Sequence, residues 1–130
     1  MNKAYHKEYA EQNYLETIYI LYLNKDEVRN IDIAERLGLA RATVTYMLGT
    51  LEKKGYIKYG ADKIVRFTKK GKDFAEDLYE KHLYLTKLLK HIGVDKDTAE
   101  IEACQIEHAI SKDSFKKIKK FFDNFFDNKT

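Results

Sequence analysis

The sequence predicts a mainly α-helical chain interrupted by one small β-hairpin. Three observations carry that expectation: apolar residues recur at helical spacing through most of the 130 residues, proline is absent, and glycine numbers only six. Residues 56–67 alone show a two-residue alternation around a Gly-Ala-Asp turn, the pattern of two short strands.

Taken in order, Tyr14, Leu15, Ile18, Tyr19, Leu21 and Tyr22 predict an amphipathic helix over 8–23. Asn24 to Glu27 breaks it, and Val28-Arg29 reads as a short strand. Asn30 is a suitable N-cap for a helix over Ile31–Leu37, which Gly38 stops. A second helix follows over 41–54, with Val44, Met47, Leu48 and Leu51 on its apolar face and Gly55 at its end. Two short helices around a tight turn form a helix-turn-helix, and the hairpin behind them makes it a winged helix.

Thr68 then caps a long helix to about His91, with Phe74, Leu78, Leu85, Leu88 and Leu89 apolar. Asp95 to Asp97 opens a helix to Ile110, placing negative charge where the helix dipole favours it. Ser111 caps a last helix carrying Phe115, Ile118, Phe121, Phe122 and Phe125. The expected division is therefore a winged helix-turn-helix over 1–72 and a helical unit over 73–130.

Charge follows the same division. Residues 1–72 carry 14 Lys+Arg against 9 Asp+Glu, net +5, and residues 73–130 carry 10 against 12, net −2, which together give +3. A basic winged helix is the footprint of DNA binding. Base contacts come from the start of the second helix of such a motif. Here Arg41 offers a fork for guanine, Thr43 and Thr45 suit thymine methyls, and Tyr46 lies beside them. Lys53, Lys54, Lys58, Lys63, Arg66, Lys69 and Lys70 are candidates for phosphates. Any one of these lysines alone reads more readily as ordinary solvated surface, and only as a group, with fold pattern and charge asymmetry agreeing, do they favour DNA.

On the helix over 95–110, Ala99, Ala103, Ile106 and Ile110 form an apolar stripe, and Glu100, Cys104, Glu107 and His108 form a second stripe beside it. Carboxylate, thiol and imidazole on adjoining turns are metal-ligand types, and His82 on the preceding helix adds a nitrogen if the two helices pack antiparallel. The plainer reading keeps Cys104 as a small core residue and Glu107-His108 as surface. A single cysteine excludes an internal disulfide. No apolar run is long enough to span a membrane, and the start lacks a signal-peptide core, so no membrane partner and a cytoplasmic location are expected. A small metal hydrolase is disfavoured because no separate general base or nucleophile motif accompanies the stripe.

Asn13-Tyr14-Leu15-Glu16-Thr17-Ile18-Tyr19, Ile33-Ala34-Glu35-Arg36-Leu37, Thr43-Val44-Thr45, Phe67-Thr68-x-x-Gly71, Lys81-His82 and Ala103-Cys104-x-x-Glu107-His108-x-x-Ser111 together resemble the metal-dependent repressors of the diphtheria toxin repressor and manganese transport regulator family. The resemblance covers about residues 10–112. It implies a homodimer with a helical dimerisation domain, in the compact two-domain form lacking an SH3-like domain, that binds Mn(II) or Fe(II) and represses metal-uptake genes at a palindromic operator on double-stranded DNA.

It also implies ligand positions. His82, Glu107 and His108 match ligands of both branches. Cys104 matches the iron-type cysteine, Glu16 a manganese-type glutamate, and Asn13 a position where the branches have methionine or aspartate. Glu100 stands at an ancillary histidine position and Thr86 at an ancillary glutamate position. The site is a hybrid, holding one or two ions per subunit, with Zn(II) or Co(II) as surrogates. A metal joining the two halves would then set the spacing of the reading heads. The alternative is a winged-helix regulator without metal control. The paired phenylalanines of the last helix, Phe121-Phe122 and Phe125-Phe126, are the expected core of the dimer interface.

Overall fold

The computed structural model describes residues 3–127. Its elements run α1 (Lys3–Tyr22), β1 (Val28–Arg29), α2 (Asn30–Leu37), α3 (Arg41–Lys53), β2 (Ile57–Tyr59), β3 (Ile64–Phe67), α4 (Lys69–His91), α5 (Lys96–Ala109) and α6 (Lys112–Asp127). Two compact units result, with the division after Asp77, inside α4.

In the first unit, β3 lies between β1 and β2, antiparallel to both. Val28 pairs with Val65, and Ile57 pairs with Phe67. The short stretch before α2 thus closes the hairpin into a three-stranded sheet. Leu15, Ile18, Val28, Ile33, Val44, Leu48, Leu51, Ile57 and Val65 form the core, each with no more than 1% of its surface exposed. Helical spacing in α1 and α3 and alternation in the strands supply this set, because each element buries one face.

Local chemistry places the ends. Gly38 caps α2 in the left-handed conformation with φ 67°, which glycine adopts without a Cβ penalty. Asn30 is not the N-cap that the sequence suggested. The helix begins one residue earlier, with Arg29 at the cap and the Asp32 carboxylate accepting the Arg29 backbone N–H at 2.8 Å. The Asn30 side chain is buried and turned to α3 instead. Thr68 caps α4 as expected, its hydroxyl accepting the Gly71 N–H at 3.0 Å. Gly71 lies where α4 crosses the Tyr56 backbone, so closely that a Cβ would meet the Tyr56 carbonyl oxygen at 1.8 Å.

In the second unit, Leu85, Ala103 and Phe115 form a smaller core from α4, α5 and α6. Asp95 caps α5 by accepting the Thr98 N–H at 3.1 Å, and Ser111 caps α6 by accepting the Ser114 N–H at 3.0 Å. Helix α5 ends at Ala109, one residue short of the expected Ile110. Tyr84 ties α4 to α6, its hydroxyl reaching Asp123 Oδ1 at 3.0 Å and the Lys119 carbonyl at 3.2 Å.

Candidate metal centre and nucleic-acid interface

Helix α5 turns one face into the second unit, and Glu107 lies on it one turn beyond Ala103. Its carboxylate is completely buried, as is the imidazole of His108. Glu107 Oε2 lies 3.0 Å from His82 Nδ1 on α4, and Glu107 Oε1 lies 3.4 Å from His108 Nε2. Cys104, one turn earlier, completes a set in which a sulfur, a carboxylate oxygen and an imidazole nitrogen all lie within 4.8 Å of one another.

A buried carboxylate is costly unless charge or hydrogen bonds compensate it. His82 Nδ1 is itself buried with no hydrogen-bond partner among the described residues, close as the carboxylate is. Burial pushes the His108 imidazole down to about 4, with the nearby Lys81 and His82 charges acting in the same direction. It is therefore neutral at pH 7, the form in which imidazole ligates a metal. Buried oxygen, nitrogen and sulfur donors on adjoining turns fit a divalent transition metal.

Glu100 is exposed and stands outside this set among the described residues. It lines a cavity of about 470 Å³ with His82, Thr86, Lys87, Lys90 and His91. Asn13 and Glu16 lie in the first unit, one turn apart on α1, with Glu16 buried and Asn13 partly so.

On the first unit, Arg41, Thr43, Thr45 and Tyr46 all lie on exposed positions of the first two turns of α3, and Tyr46 retains 78% of its surface. The basic residues around them separate into two groups. Lys54 is held by Glu11, Lys69 by Asp73, and Lys70 by the Lys54 carbonyl. Arg66, expected at a phosphate, places its guanidinium on the Asp62 carboxylate at 2.8 and 3.2 Å. That pairing holds the Asp62 carboxyl below the usual carboxylate range. Lys53 and Lys58 are exposed outside these pairs, and Lys63, at φ 62°, places its ammonium 5.6 Å from the Tyr59 ring centre.

Two contacts escaped sequence reasoning. One is the Arg29 guanidinium, which donates to the Asp62 carbonyl at 3.0 Å and steadies the wing. The other is the reach of Asn30 into α3. No local signal marks either, because both partners are distant in sequence.

Residues 9–65 match the family described as iron dependent repressor, N-terminal DNA binding domain, and residues 68–128 match iron dependent repressor, metal binding and dimerisation domain. The chain belongs to the iron-dependent repressor family. These repressors are transcription regulators, not enzymes, so the metal-dependent, DNA-binding expectation holds over the alternative without metal control. The chain is 31% identical over 118 residues to an HTH-type transcriptional regulator of Methanocaldococcus jannaschii, covering 89% of this chain and 94% of that one. It is 35% identical over 107 residues to the HTH-type transcriptional regulator MntR of Lysinibacillus sphaericus, covering 82% of this chain and 77% of the relative. Among solved structures, the manganese regulator SloR superposes with a TM-score of 0.74 at 28% identity over 87% of this chain. This iron-dependent repressor chain spans about half of SloR, 53% of its length. Among the described residues, no helix is long and apolar enough to cross a membrane.

Proposed function

We propose that this chain is a homodimeric repressor of metal-ion homeostasis genes, which binds a palindromic operator when Mn(II) or Fe(II) occupies His82, Cys104, Glu107 and His108. The observation that carries this reading is the fully buried Glu107 carboxylate flanked by His82 Nδ1 and His108 Nε2, in a chain whose other unit is a winged helix. When bound, a divalent ion supplies the positive charge that compensates this carboxylate. The neutral His108 imidazole offers its lone pair without first losing a proton. Cys104 adds a soft donor, which favours Fe(II), Co(II) or Zn(II) over Mn(II), while the carboxylate suits all of them. SloR is described as a manganese regulator, which supports manganese as the competing choice.

Arg41, Thr43, Thr45 and Tyr46 read base edges from the start of α3, and Lys53 and Lys63 contact phosphates. Arg66 joins them where a phosphate displaces Asp62. The second unit supplies the dimer contact through α6. There Phe121 and Phe125 keep 70% and 40% of their surface exposed, beside Phe122 and Phe126, more apolar area than a buried core would leave. A two-fold dimer presents two α3 helices to half-sites about 34 Å apart or a multiple of it. Metal and DNA then favour each other's binding by the same factor, as linkage requires.

The test is anaerobic selection from a mixed-sequence duplex library at fixed salt, with and without Mn(II), Fe(II) and Zn(II). Selection of a palindrome only with metal, lost in Glu107→Gln, is the expected result. Equal selection with and without metal would instead leave a winged-helix regulator without metal control.

A further inference from the structure

Helix α3 begins in an unusual way for a helix whose first turn is to read DNA. Its N-cap is Ala40, which has no side-chain oxygen to satisfy the first N–H groups. Such a start lacks the stabilisation that a Ser, Thr or Asn cap contributes, and the first turn is prone to fray. A hydrogen-bond triangle from outside the helix holds it instead. Asn30 Nδ2, on α2, donates to the Arg41 carbonyl at 3.0 Å and to Thr45 Oγ1 at 2.8 Å. Thr45 Oγ1 donates its own proton to the same Arg41 carbonyl at 2.9 Å.

The chemistry of the partners orients the amide. The Arg41 carbonyl can only accept, and the Thr45 proton is already spent on it, so the atom facing both must be the Asn30 nitrogen. The opposite orientation would set oxygen against oxygen. Asn30 is 4% exposed, and its Oδ1 is buried with no hydrogen-bond partner among the described residues. A buried acceptor left in that state carries an uncompensated desolvation cost. Stability alone would favour a residue without that cost, and local rules are broken this way where function compensates.

We propose that Asn30 is a positioning residue for sequence reading: its amide fixes the Arg41 backbone and the Thr45 side chain, and through them the aim of the first turn of α3. This rests on the reading of α3 as the recognition helix. Asn30 touches no base itself. Its effect belongs to the sequence-dependent part of binding, whereas the phosphate contacts of Lys53 and Lys63 are left alone.

The test uses the full-length protein with saturating metal and compares the selected operator with a scrambled duplex across a salt series. Asn30→Asp keeps the shape but replaces the donor with an acceptor, and Thr45→Val removes the second acceptor at an exposed position where misfolding is not at issue. Each variant should lose specific affinity, about tenfold for Asn30→Asp, the size of a mismatched base pair. Affinity for the scrambled duplex and the salt slope should stay as in the wild type. The double variant should be no worse than Asn30→Asp alone. An unchanged ratio of specific to scrambled binding in both single variants overturns the proposal, as does a parallel fall in both affinities. A wild type that selects no sequence at all overturns the recognition-helix reading itself, and this proposal with it.

Discussion

Both carboxylate oxygens of Glu11 on α1 take the Lys54 ammonium at the end of α3, at 2.8 and 2.7 Å. The two partners are not equivalent. Glu11 keeps 7% of its side-chain surface exposed and Lys54 keeps 44%. Removing the lysine strands a buried charge, whereas neutralising the glutamate leaves an ammonium that water can solvate. Lys54→Ala should therefore destabilise the protein by about 1–3 kcal/mol and Glu11→Gln by about 1 kcal/mol or less. Urea unfolding of both variants checks the order. Equal losses would mean that Glu11 is solvated in its unpaired state.

Stability should also depend on pH through His108. Burial depresses its folded-state pKa from 6.5 to about 4. Between those values the unfolded chain binds a proton that the folded chain refuses, so stability rises with pH across this window. Metal-depleted protein should thus lose stability progressively as pH falls from about 6.5 towards 4. His108→Gln should show a shallower dependence over the same range. Urea midpoints at several pH values measure both, and a variant as pH-dependent as the wild type would assign the loss to other groups.

Coordination through Cys104 sulfur has its own signature. Only the thiolate ligates, so metal uptake at pH 7 should release about one proton from this side chain. Co(II) should produce a thiolate charge-transfer band that Cys104→Ser abolishes while Co(II) still binds. Glu107→Gln should lower metal affinity by at least about tenfold. Co(II) binding without the band would place the sulfur outside the coordination sphere.

Gly71 allows no side chain. A Cβ there would lie 1.8 Å from the Tyr56 carbonyl oxygen and 2.7 Å from its carbon, and backbone cannot swing aside as a flexible side chain does. Gly71→Ala should cost more than about 2 kcal/mol, read as a lowered thermal midpoint. By contrast, Gly49→Ala, with nothing within 4 Å of the added carbon, should be tolerated and, inside a helix, mildly stabilising.

Much of this protein was legible in one dimension because its determinants are local. The 3.6-residue recurrence of Leu15, Ile18, Val44, Leu48 and Leu51 marks the faces that became core. Thr68, Asp95 and Ser111 each cap the helix they precede, since a cap needs only its own first turn. Asn30 misled for the same reason in reverse. Its local chemistry suits a cap, but two acceptors eleven and fifteen residues ahead offered its amide more.

The order of elements, the winged helix and the ligand types on α5 follow from periodicity, turn residues and side-chain chemistry, which are properties of neighbours along the chain. Which polar groups lost their water depends instead on packing between elements. Glu107 reads as one member of a polar stripe, yet packing buries its carboxylate completely against His82 while Glu100, on the same stripe, stays in solvent. Burial depends on what another element places overhead, and desolvation is what separates a ligand-ready carboxylate from an ordinary surface charge.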